Sequence, residues 1–216
     1  MAINKDDFTK KIEELYKIYE INYKEFSDKL YSIVNDDDWS FVIKVVAIIE
    51  STLTKLLLEK SGDIKFTKLF ESISVSRKMD LLFELGLCTS EGKTFIKYLL
   101  KLRNKLAHDP DELDFNFEKF IKELNKTQRN ELLKSINISK NNKYNDSYRK
   151  LIFEDTKNAI WINILPLLLV FDFTRETLKM EKELEELSAV KTEEILEKIA
   201  PELFIRPNVG KLKKRL

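Results

Sequence analysis

The sequence predicts an all-α protein, and three observations predict it. Gly and Pro occur only four times each in 216 residues, too few turn formers for a sandwich or a doubly wound sheet. Apolar residues recur at helical spacing, as in Phe8, Ile12, Leu15, Ile18 or Tyr19, Tyr23, Phe26 and Leu30. Hydrophobic residues make up 43% and charged residues 35%, the balance of a helix-rich globular chain able to bury a core without disulfide staples.

The elements follow in order. Asp6 or Asp7 caps a first helix. Asp36-Asp37-Asp38 caps a second, Trp39 to about Lys60, and places negative charge at its positive end. This helix is apolar on two faces through Phe41, Val42, Val45, Val46, Ile48, Ile49, Leu53, Leu56 and Leu57, so it belongs in the centre of the bundle. Glu50 sits in its middle, where an unpaired charge is costly. It is expected to meet Arg103, Asn104, His108 or a backbone amide at a helix start. Gly62 ends the helix. Short helices follow over Phe66–Ile73 and Ser76–Leu85, the second closed by Gly86. The next runs from Thr89 or Ser90 to His108, where Asp109-Pro110 stops it. One helix is expected over about Phe115–Ile136. A long one is expected from Tyr148 towards Val190, kinked at Pro166, with a last short helix over Thr192–Ile199. The expected organisation is a bundle core over 1–136, a mobile polar loop over 137–147, and a C-terminal segment over 148–216. That segment packs on the bundle and ends in a basic tail at Lys211–Arg215.

Charge and rare residues narrow the function. Net charge is +1, so no global field demands nucleic acid, and any such contact must be local. One cysteine, Cys88, and one histidine, His108, leave no cysteine-built zinc site and no multi-histidine site within a chain. No metal and no cofactor is expected. The N-terminus has no signal-peptide pattern. The apolar run Ala159–Phe173 is short for a bilayer and holds Asn163 and Pro166, so it reads as a core helix and the expected compartment is the cytoplasm.

The helix ending at His108 carries the chemistry. At about 100° per residue it shows three stripes. Phe95, Tyr98, Leu99, Leu102 and Leu106 form a core face. Lys93, Lys97, Lys101 and Lys105 form a basic stripe, of which Lys97, Lys101 and Lys105 are candidate RNA contacts, although such a stripe is also the ordinary pattern of a solvated face. Ile96, Leu100, Arg103, Asn104 and Ala107 form a second apolar face, which suggests contact with a second copy. Arg103 offers a fork for phosphate and His108 exchanges protons near neutral pH, the pair of functions that RNA cleavage without metal needs. Read without chemistry, His108 favours the helix dipole and Arg103 pairs with a buried carboxylate.

The run Phe83-Glu84-Leu85-Gly86-Leu87, then a helix ending Leu102-Arg103-Asn104-Lys105-Leu106-Ala107-His108-Asp109, resembles the core of the HEPN superfamily. It looks most like the branch containing the mannitol operon repressor family, and the resemblance covers about 38–110. It implies a helical bundle and, in many members, a dimeric metal-independent ribonuclease using an Arg and a His with four to six residues between them; here there are four. By position, Arg103 and His108 would be catalytic, Asn104 their polar companion and Glu50 a supporting residue. The implied function is an endoribonuclease, a toxin or phage-defence effector working as a homodimer on RNA, with an antitoxin or regulatory protein as a further partner. The alternative is a non-catalytic regulatory or interaction protein of the repressor-like branch.

Overall fold

The structure, a computed structural model, describes residues 5–136 and 146–199. Those residues form an all-α bundle with no strand among them. The helices are α1 (Lys5–Val34), α2 (Asp38–Ser61), α3 (Thr67–Ser72), α4 (Val75–Glu84), α5 (Ser90–His108), α6 (Phe117–Glu123), α7 (Lys126–Ile136), α8 (Asp146–Glu154) and α9 (Thr156–Ile199). Most of the polar loop and the basic tail lie outside the described residues.

α2 is the central helix. It buries Phe41, Val42, Val45, Val46, Ile49, Leu53, Leu56 and Leu57, packs most extensively against α9, and also meets α1, α4 and α5. The three aspartates before and at its start do three different jobs. Asp37 is the N-cap and accepts from Ser40 N at 2.8 Å. Asp36 pairs with Lys44 at 2.8 Å. Asp38 accepts from Phe117 N at 2.8 Å and pairs with Lys157 at 3.3 Å, which ties α2 to the starts of α6 and α9. Gly62 closes the helix in the left-handed conformation.

Two helices break where the sequence reading ran them on, for local reasons, and one runs on where a break was expected. The single helix expected over Phe115–Ile136 is two. Asn125 and Gln128 cap each other, side chain to backbone, at 2.9 and 3.0 Å, and start α7 afresh. Arg129 turns back to donate to the Ile121 and Leu124 carbonyls at the end of α6. The helix expected from Tyr148 breaks at Asp155, whose carboxylate accepts from Asn158 N at 3.2 Å and starts α9. Beyond that point α9 continues through Pro166 and past Val190, with no separate last helix. Pro166 is exposed, so the carbonyl it leaves unpaired faces water.

The stretch of α9 over 156–183 is long and apolar enough to cross a membrane by length and composition, with a mean hydropathy of 1.3. In the bundle its Ala159, Ile160, Ile164, Leu168 and Phe171 side chains are all buried, and Trp161 meets Tyr31 of α1 with ring centres 4.7 Å apart. This stretch of α9 therefore completes the core around α2.

Candidate functional site

The site is built on α5, and both ends of that helix are held. Upstream, Leu85-Gly86-Leu87 makes a left-handed turn at Gly86 (φ 70°), where a side chain would be strained. Gly86 N donates to Phe83 O at 3.0 Å and Leu87 N to Leu82 O at 2.8 Å, the double bond that closes α4. Thr89 then caps α5 by accepting from Gly92 N at 3.1 Å. Downstream, Asp109 is extended, as a residue before proline must be, and accepts from Asp111 N at 3.1 Å. The last turn has a further anchor that the sequence reading missed. Trp39, at the start of α2, donates its indole N–H to the Leu106 carbonyl at 3.1 Å. That carbonyl is one of the four the helix end leaves without an internal partner. The signal was available: an aromatic donor just inside the cap of the helix predicted to be central.

The core face of α5 is as read, with Phe95, Leu99, Leu102 and Leu106 buried and Tyr98 half-buried. The second apolar face is not. Ile96 is fully buried and Leu100 nearly so within the chain, so neither needs a second copy to cover it. Only the end of that face remains open, with Arg103 half-buried and Asn104, Ala107 and His108 exposed.

The basic stripe is neutralised. Lys93 and Lys97 both reach Asp80 of α4, at 2.9 and 2.8 Å. Lys101 pairs with Glu131 of α7 at 3.0 Å, and Lys105 with Glu112 at 2.5 Å. The lysines stitch α5 to its neighbours. Arg103, Asn104 and His108 differ: among the described residues none of their side chains has a hydrogen-bond or ion-pair partner. They stand together within the last turn and a half of the helix, open to a ligand.

Glu50 is not one of them. Its carboxylate meets the ammonium of Lys78 on α4 at 3.2 Å, with side-chain exposures of 42% and 1%. The expected partners, Arg103, Asn104, His108 and a helix-start amide, are all wrong. Glu50 lies at the edge of the buried face of α2, which ends at Ile49 and resumes at Leu53, so it is half wet. The buried charge is Lys78. Its signal is its register: with Val75, Met79 and Leu82 it completes the i, i+3, i+4, i+7 core stripe of α4.

Two further groups bear on the chemistry. Burial pushes the Cys88 thiol up to about 11, so it stays protonated and is a poor nucleophile. Hydrogen bonds from Lys97 and Lys93 hold the Asp80 carboxyl down at about 2, against its ordinary 3.8. A depressed carboxyl stabilises the fold only while ionised. Its contribution is complete above about pH 4 and is lost as pH falls through about 2. Acid titration of the melting temperature should therefore show a fall in that window that is smaller in Asp80→Asn. An identical fall in both proteins would remove Asp80 from the account.

Among the described residues, no cluster of three or more His, Cys, Asp or Glu side chains is arranged to hold a metal ion. Comparison with protein-family models, curated proteins and solved structures finds no match for the chain.

Proposed function

We propose that the chain is a metal-independent endoribonuclease of the HEPN type, a toxin or phage-defence effector acting on RNA in the cytoplasm. It works as a homodimer whose two copies of Arg103, Asn104 and His108 face one cleft. One observation carries this reading: every lysine of α5 has a carboxylate, whereas Arg103, Asn104 and His108 have no side-chain partner among the described residues. A half-buried guanidinium without a counter-ion is unfavourable in the free protein, and a phosphate relieves it.

The chemistry needs two proton transfers and one stabilised charge. The neutral imidazole of His108 takes the proton from a ribose 2′-OH, and the oxygen attacks the adjacent phosphorus. The bond from phosphorus to the 5′-oxygen breaks, leaving a 2′,3′-cyclic phosphate on one product. The departing oxygen takes its proton from the imidazolium of the second copy and becomes a 5′-OH. Arg103 stabilises the charge that builds on the phosphoryl oxygens, and Asn104 orients the phosphate. The test is to incubate the purified protein with single-stranded RNA in EDTA. Cleavage with cyclic-phosphate ends is expected. A mixed RNA pool left intact, with and without added regulatory partner, would overturn the enzyme reading.

Assembly is tested separately. A two-fold dimer is expected, with Asn104 and Ala107 of each copy at its centre. Ala107→Arg brings two like charges together there and should shift light scattering at tens of micromolar from dimer to monomer. A wild-type monomer under those conditions, or a dimer indifferent to Ala107→Arg, would count against it.

A further inference from the structure

A cavity of about 360 Å³ opens between α5, α6 and α7, on the side of α5 away from Arg103. Its walls are Leu102, Phe120, Leu124 and the ring of Tyr98, and its volume is in the range of small-ligand sites. Two polar groups in the wall are unused. The Tyr98 hydroxyl has no hydrogen-bond partner among the described residues, although burial and the nearby Glu131 charge push its pKa well up and so keep it a donor. Gln128 gives its carbonyl oxygen to Asn125 N at 2.9 Å, which leaves its NH₂ group free. Lys101, Lys105 and Glu131 also line the cavity, with Glu131 paired to Lys101. The two lysine side chains are 73% and 53% exposed, so exchanging a surface carboxylate for a phosphate costs little. Lys105 and His108 are three residues apart on one helix and are therefore neighbours. Past Lys105, a second recess is lined by Asp111, Glu112, Asp114 and Glu123 with Lys119 among them, an acidic excess that disfavours a nucleic-acid backbone there.

We infer that this cavity is a nucleobase pocket, in which a base lies against Phe120 and Leu124, its edge is read by the Tyr98 hydroxyl and the Gln128 amide, and its phosphate is met by Lys101. That it serves the nucleotide beside the scissile bond rests on the ribonuclease reading. The binding itself does not.

The test uses the full chain and AMP, GMP, CMP and UMP as probes, by calorimetry. Gln128→Glu keeps the oxygen that caps α7 but turns the free donor into an acceptor. It should leave the melting temperature unchanged and weaken the preferred nucleotide about fivefold or more. Lys101→Ala should weaken the nucleotide but not the matching nucleoside. No saturable binding of any of the four at millimolar concentration overturns the inference, as does equal binding by wild type and Gln128→Glu. RNA cleavage whose base preference survives Gln128→Glu overturns the pocket's role in cleavage while the ribonuclease reading stands. Nucleotide binding lost in Gln128→Glu without any RNA cleavage has the reverse meaning.

Discussion

His108→Ala is expected to lower RNA cleavage by about 10²-fold or more, because in the proposed mechanism it removes the group that moves both protons. Arg103→Ala is expected to cost a similar factor through lost stabilisation of charge on the phosphate. Both variants should melt within about 2 °C of wild type. His108 is exposed, Arg103 half-exposed, and neither has a side-chain partner among the described residues, so each change falls in the class of surface substitutions worth under about 0.5 kcal/mol. Activity and stability are measured on the same preparations, which makes the outcomes separable. Lost cleavage at unchanged melting temperature supports catalysis. A sharp drop in melting temperature for His108→Ala instead makes the residue structural. The regulatory, repressor-like reading then takes its place.

The second large effect concerns the Lys78–Glu50 pair. Glu50→Ala removes the carboxylate from a lysine whose side chain is 1% exposed. Stranding a buried charge costs about 3–5 kcal/mol, and the half-exposed position of Glu50 brings the expected value down to about 2–3 kcal/mol. For a chain of this size that is a fall in melting temperature of about 4–12 °C. Lys78→Met replaces the buried ammonium with an apolar side chain of similar length and should be close to neutral. The double variant should therefore recover most of the loss seen with Glu50→Ala alone. A Glu50→Ala protein within about 0.5 kcal/mol of wild type would mean that the Lys78 ammonium reaches water without help.

The two corrections on α5 and α2 share one cause. A helical wheel reports which residues share a face, not what covers it. Ile96 and Leu100 read as a surface for a second copy because they fall off the main core stripe, yet the chain covers both. Glu50 read as a buried charge because its neighbours in sequence are apolar, yet it sits at the edge of the buried face and the buried charge is its partner on another helix. The lysine stripe has the same history. Its period was visible, but the carboxylates that occupy it come from Asp80, Glu112 and Glu131, the last 30 positions from its lysine.

Local rules were enough wherever the cause was local. The all-α class, the bounds of α2 and α5, the left-handed turns at Gly62 and Gly86, the cap at Asp37 and the stop at Asp109-Pro110 all follow from propensity, capping and the lack of alternatives for a few residues. The position of Arg103, Asn104 and His108 at one helix end was legible for the same reason. The split at Asn125 was local too, but it competes with an apolar pattern that runs through it, and the reciprocal Asn125–Gln128 cap wins. What only the tertiary structure decided is which charges are free and which are used. Pairing depends on distances between side chains remote in sequence, and no periodicity along one helix encodes them. That is why the sequence by itself could single out Arg103 and His108 only as candidates for chemistry. Only the packing of α4, α7 and the turn after α5 could separate them from the four lysines beside them.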